Sequence, residues 1–153
     1  MKNINQILKE HHFFKDFSDE DINFISGCAQ NKVFHKDDII AKENSPADEF
    51  YLIRAGKVAI CLPITHHESK VIQTISEGEF LGWSWLFPPF KWSFEAIATE
   101  PTRTIMINGK CLREKLDKKP EMGLKLMKRF AQLLIARLNA TRLQLLDVYE
   151  KKQ

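Results

Sequence analysis

The 153-residue chain contains no window of eighteen apolar residues, so no segment reads as a membrane-spanning helix. Its first residues, MKNINQILKEHHFFKDF, lack a long apolar run and a small-residue cleavage site. They do not read as a secretory signal. Cysteine is scarce. Cys28, Cys61 and Cys111 are widely spaced, odd in number and never part of a CxxC pair. That pattern predicts free thiols in a reducing cytoplasm and argues against a cysteine zinc site. Signatures of catalysis are missing as well: there is no GxSxG, no GxxxxGK[ST] and no HExxH. Ser84 and Ser93 have no evident base beside them, so the chain is expected not to be an enzyme. His11-His12 and His66-His67 are adjacent pairs, whose side chains diverge on a helix and oppose each other on a strand. With no Asp, Glu or Cys at ligand spacing, no metal is expected. Internal repeats and low-complexity linkers are also absent.

Positive charge is not in general excess. The net charge is +3. From Pro120 onward there are seven Lys/Arg against three Asp/Glu, a net +4, whereas the first 119 residues sum to −1. A broad nucleic-acid surface would carry a larger basic excess.

What is present is an ordinary globular composition, 44% hydrophobic and 28% charged, with eleven phenylalanines. That is enough for one domain with a core of large side chains, and disorder is not expected. One short stretch stands out. FLGWSWLFPPFKWSF, Phe80 to Phe94, packs seven aromatic side chains into fifteen residues, with Lys91 as its only charge. All three tryptophans, Trp83, Trp85 and Trp92, lie inside it. Such a stretch is core, a ligand pocket or a contact patch.

The periodicity changes twice. Residues 3 to about 11 carry apolar Ile4, Ile7 and Leu8 at helical spacing, and a second helix starts near Ser18 with Asp21 as the capping-box partner. From Asn31 the chain turns to short runs rich in Val, Ile, Phe and Tyr: VFH, DIIA, EFYLIRAG, KVAICL, SKVIQTI and RTIMIN. Val58, Ile60 and Leu62 alternate with Lys57, Ala59 and Cys61, as one-sided burial requires. With the aromatic stretch counted as two pieces around Pro88-Pro89, about eight strands result, the pattern of a sandwich or jelly roll. After Gly109 the helical period returns in KCLREKLDKK. Pro120 suits the first position of a last helix of about 30 residues, some 45 Å long. Its Met127, Ala131, Leu134, Leu138, Thr141, Leu145 and Val148 form a heptad seam. A second stripe, Leu126, Phe130, Leu133 and Leu146, is expected to pack on the domain. The seam predicts a homodimer through this helix; the alternative is a monomer that folds it onto itself.

The motifs sharpen this. In DIIAKENSPADEFYLIRAGKVAI, the residues Ala47, Phe50, Tyr51, Ile53, Gly56, Val58 and Ile60 resemble the front half of cyclic-nucleotide-binding domains, as in the catabolite activator family. ISEGEFLGWSWL, with Gly78 and Gly82, is similar to that family's approach to its phosphate-binding cassette. KRFAQLLIARLNATRLQLL resembles its dimerising C-helix. The resemblance implies a mainly β fold with flanking helices. It would be a double-stranded β-helix, or jelly roll, with helices over 1–30, the roll over 31–108 and C-terminal helices over 109–150, a single domain spanning 1–153.

In the family the cassette holds a cyclic phosphate with backbone N–H groups and one arginine, and a glutamate after the glycine accepts from the ribose hydroxyl. Here Trp83 follows Gly82, the arginine position falls on Trp92, the hydroxyl position on Ser93 and the small alanine on Phe94. Lys91 is one residue early and points to the opposite strand face, unless a loop shift at Pro88-Pro89 turns it inward. The resemblance therefore implies a ligand site drawn from Phe80, Gly82, Trp83, Ser84, Trp85, Lys91, Trp92 and Ser93. Thr141 of the C-helix occupies a place where relatives offer a hydroxyl to the purine, or else serves as a polar seam residue. The expected function is a small-molecule-sensing regulatory domain, nominally for a cyclic nucleotide, in which binding shifts the C-helix. The alternative is a non-binding scaffold for protein interaction or dimerisation, with the indoles plugging the pocket. The chain ends four residues past Tyr149 with no recognition helix, so direct DNA binding is not expected.

Overall fold

Asn3 accepts from the Gln6 N–H, and the Gln6 side chain accepts from the Asn3 N–H. This reciprocal cap starts helix α1, Ile4–Glu10. Ser18 likewise accepts from the Asp21 N–H and starts α2, Asp19–Ser26, whose first turn carries three acidic residues where the helix dipole favours them. A short 3-10 turn, His12–Phe14, joins the two. A computed structural model describes residues 2–151. Among these, eight strands follow: β1 Ala29–Phe34, β2 Ile39–Ala41, β3 Glu49–Ala55, β4 Val58–Pro63, β5 Ser69–Ile75, β6 Phe80–Leu81, β7 Glu95–Ala98 and β8 Thr102–Asn108. Helices α3, Gly109–Lys118, and α4, Pro120–Lys151, complete the chain.

The strands form two antiparallel four-stranded sheets, ordered β1-β8-β3-β6 and β2-β7-β4-β5. This is the jelly-roll arrangement that the alternating runs predict. Gly56 turns the β3–β4 hairpin at φ +100°, and a Cβ there would meet the Pro101 carbonyl at 2.6 Å. Only glycine fits both conditions. Strand β3 is buried on both faces. Tyr51 and Ile53 join Val58, Ile60, Ile75, Leu81 and Trp92 inside the roll. On its other face Phe50 lies 4.5 Å from Trp85, ring on ring, and 6.2 Å from Phe80. A strand covered on both sides loses strict alternation, which is why EFYLIRA reads as a continuous apolar run.

Two expectations fail here. The aromatic stretch does not form two strands. Only Phe80–Leu81 pairs in a sheet; Ser84–Leu86 is a 3-10 turn, and Pro88-Pro89 is a cis peptide. The seventh strand is EAIA, after the stretch. Aromatic residues favour strands by packing on a pleated surface, but here they pack on several elements, and tertiary contacts override that preference. Nor are all three thiols free. Cys28 and Cys111 form a disulfide with a Cα–Cα distance of 5.7 Å, while Cys61 is a buried free thiol. The pairing of Ala29 with Ile107 in β1 and β8 brings the residues just outside those strands together. The 83-residue separation hid this in the sequence. Free thiols therefore no longer support a reducing compartment. Among the described residues no helix is long and apolar enough to cross a membrane.

The chain divides into two compact units, one up to Lys115 and one from Leu116 onward. In the second, α4 buries Met122, Leu126 and Phe130. The expected second stripe continues to the half-buried Leu133 and ends before Leu146, which is exposed. Of the heptad seam, only Leu134 is partly buried; Met127, Leu138, Leu145 and Val148 are exposed.

Candidate functional site

The Gly78–Phe94 stretch opens on two glycines. Gly78 (φ +86°) and Gly82 (φ +96°) bracket β6, a conformation that costs glycine little. The Gly78 N–H donates to the Ile53 carbonyl at 2.8 Å, and Ile53 N–H returns a bond to Glu79. Leu81 pairs with Tyr51 and Phe80 with Leu52. The two β6 side chains then face opposite ways. Leu81 enters the roll. Phe80 joins the N-terminal helices, 4.8 Å from Phe13 and 5.3 Å from His11, ring to ring.

Beyond Gly82 the backbone is fixed by a loop partner. Ala47 donates to the Phe90 carbonyl, Asn44 to Trp92, and Trp92 in turn to Ser45, at 2.7, 2.9 and 3.0 Å. This pairing turns Trp92 inward, where it is 5% exposed, and leaves Lys91 and Ser93 on the solvent side. A Cβ built on Gly82 would meet the Trp92 ring at 2.6 Å. The ring lies on the glycine. Trp85 is buried elsewhere: it stacks on Phe50, and its Cβ lies 2.7 Å from where a Cβ on Gly109 would be. Trp83 and Ser84 are half-buried, and Phe80 is fully buried. Thr141 sits on α4 in the second unit, exposed, its hydroxyl donating to the Arg137 carbonyl at 2.9 Å. Of the predicted site residues, the fold thus brings Gly82 and Trp92 into contact, while Phe80 and Trp85 pack on other elements.

A cleft of about 280 Å³ opens beside Trp92, lined also by Lys32, Ile40, Lys42, Glu49 and Tyr51. The Tyr51 hydroxyl donates to Glu49 Oε2 at 2.6 Å, and Lys32 Nζ lies 4.0 Å from the same oxygen. Burial, then the hydrogen bond and charge of Glu49, push the Tyr51 hydroxyl up, so it stays a donor. Sequence reasoning missed these residues, because their proximity depends on the β1–β8–β3 order. It also missed Arg113. This guanidinium donates to the Trp85 carbonyl and sits 4.1 Å over the Phe90 ring, holding the aromatic loop from α3. His11 was weighed only as half of a metal pair; it reaches the Gly78 carbonyl, Nε2 to O, at 2.6 Å. Among the described residues no group of three or more His, Cys, Asp or Glu is placed to hold a metal ion.

The family description "Cyclic nucleotide-binding domain" matches residues 31–119, the span that contains the roll, the cassette and α3. The chain belongs to this family. It is similar to a solved protein from Geobacter metallireducens GS-15 assigned as cyclic nucleotide-binding, at 30% identity and TM-score 0.79 over 90% of this chain and 99% of that one. It is also similar to a cyclic nucleotide-binding domain from Methylobacillus flagellatus KT, at 25% identity and TM-score 0.79 over 94% of this chain and 80% of that one. Thermus thermophilus catabolite activator protein shares the fold, with 20% identity and TM-score 0.69 over 87% of this chain and 61% of that one. No curated protein sequence matches. Within this cyclic-nucleotide-binding fold, the Gly78–Phe94 stretch carries two charged side chains, Glu79 and Lys91. The Glu79 carboxylate accepts from the Ser76 N–H at 3.0 Å.

Proposed function

We propose that this chain is a small-molecule-sensing regulatory domain whose cassette keeps the family's backbone frame and replaces its charge-bearing groups with indole. The observation that carries this is the Trp92 ring lying on Gly82. By the resemblance, the Trp92 position belongs to the arginine that holds the cyclic phosphate, and the Trp83 position to the ribose-binding glutamate. An indole offers one neutral N–H. A phosphate there forgoes a charge-assisted bond of about 1.5–3 kcal/mol, so cyclic AMP is not held tightly by the usual chemistry. The nominal ligand is a cyclic nucleotide. The surface beside Trp92 suits a flat, purine-like molecule that stacks on indole. The adjoining cleft, about 280 Å³, lined by Lys32 and Lys42 and equally by Asp48 and Glu49, gives such a molecule room beside the ring. It is near the lower end of small-ligand pockets.

The output runs through α4. A ligand that favours one placement of that helix shifts its population. The exposed Met127, Leu138, Leu145 and Val148 of the seam support a homodimer through it.

A second reading has its own support. Trp85 and Trp92 are both buried, as in a plugged pocket, which fits a scaffold that keeps the fold for protein interaction. Titration calorimetry with cyclic AMP and cyclic GMP up to millimolar concentration separates the two. Saturable heat supports the sensor; no heat with either overturns the nucleotide reading and leaves the scaffold.

A further inference from the structure

We propose that His11 is a proton-sensitive positioning residue for the cassette turn. Its neutral ring bridges the Phe13 N–H of the 3-10 turn and the Gly78 carbonyl, and a second proton on that ring breaks the bridge at the turn. This rests on the reading of the Gly78–Phe94 stretch as a ligand cassette, but its geometry needs no ligand.

Both ring nitrogens of His11 have partners that dictate where the proton sits. Nε2 lies 2.6 Å from the Gly78 carbonyl oxygen. A carbonyl only accepts, so Nε2 carries the hydrogen. Nδ1 accepts from the Phe13 N–H at 3.1 Å and caps the 3-10 turn. An amide N–H only donates, so Nδ1 is bare. The side chain thus holds the carbonyl of Gly78, while β3 holds the N–H of the same residue. The ring also sets its edge against Phe80, 5.3 Å between centroids, and Phe80 is the first residue of the strand that leads to Gly82. One imidazole therefore joins the 3-10 turn, the glycine that opens the cassette and the strand inside it.

A proton added at Nδ1 would point one donor at another. The cap is lost, while Nε2–H, now on a cation, still donates to the Gly78 carbonyl. With the cap goes the ordered placement of Phe13 and Phe14, both buried and both packed near Phe80. Burial holds the His11 ring below the ordinary histidine value, the Gly78 bond opposes this, and the charge of His12 adds to the lowering. The folded state therefore binds the proton more weakly than the unfolded chain. The cap is fully present above the ordinary value of about 6.5 and is lost as pH falls through the lower folded value. Other ionisable groups surround the ring. His12 stacks on it at 4.5 Å. Glu77 and Glu79 flank Gly78, with Glu79 bonded to the Ser76 N–H. Lys9 pairs with Asp19 and Glu10 with Lys2 at the end of α1. Lys15 and Asp16 follow the 3-10 turn.

The test is a nuclear magnetic resonance titration of the full chain without nucleotide, following imidazole nitrogens and backbone amides from pH 8 downward. The expected result is the Nε2–H tautomer at pH 8 and a His11 midpoint below about 6.5. The amides of Phe13, Gly78 and Gly82 should move with that midpoint. In His11→Asn the side-chain oxygen still caps the turn but does not titrate, so those amides should stay flat. In His12→Asn they should still titrate, with the midpoint moved up because the charge of His12 is gone. The opposite tautomer, a midpoint at or above the ordinary value, or an unchanged titration of Gly78 and Gly82 in His11→Asn overturns the proposal. If His11→Asn does not fold, the wild-type tautomer and midpoint decide. Calorimetric failure with nucleotides would leave all of these outcomes as they are.

Discussion

Trp85 and Trp92 lie in the same loop, and both are buried, yet the fold uses them differently. Trp85 is clamped from every side the chain offers. Phe50 stacks on its face, Gly109 leaves room against its Cβ, and Arg113 holds its carbonyl. Trp92 lies inside the roll on Gly82, with an open cleft at its side. The first indole is packing that fixes the loop to α3. The second keeps one side toward a cleft, the side that the proposed ligand reading needs. Burial alone does not separate the two indoles; their neighbours do.

The comparison breaks first on stability. Trp85→Ala should cost about 3–5 kcal/mol, as loss of a large buried ring does, read as a lower midpoint in denaturant unfolding. A cost below about 1 kcal/mol would mean that Trp85 is not the anchor described. Gly82→Ala comes next. It meets positive φ and the Trp92 ring at once, and each strain of that kind costs of order 1–3 kcal/mol. The double variant Gly82→Ala/Trp92→Ala should cost less than the sum of the two single variants, because without the ring the clash is gone while the strain in φ remains. Additive costs would show that the ring does not rest on the glycine. The smallest effect is optical. With Trp85 and Trp92 buried and Trp83 half-buried, iodide should quench only a minor part of the tryptophan emission, and Trp83→Phe should remove most of that part.

Much of the fold was legible in the chain. The turn at Gly56 and the return of helical period after Gly109 carry local signals, and each matches its element; the alternation at Val58, Ile60 and Leu62 marks a strand, but one buried on both faces, with Ala59 and Cys61 inside as well and Leu62 exposed. The cassette was legible only in part. Matching the family pattern picked out Gly78 and Gly82, both at positive φ, and Trp92, which is buried. What the pattern could not show was set by distant partners. Cys28 meets Cys111 through the β1–β8 pairing. Arg113 reaches Trp85 from α3, and His11 reaches Gly78 across 67 residues. The aromatic stretch misled because its rings have strand preference, while their partners lie on several different elements.

The most direct test is calorimetry of the wild type and Trp92→Arg side by side with cyclic AMP. If an indole stands where a guanidinium holds the phosphate, the arginine variant should bind about 10–100-fold more tightly, matching a charge-assisted bond of about 1.5–3 kcal/mol. Tight wild-type binding that Trp92→Arg leaves unchanged or weakens would contradict it.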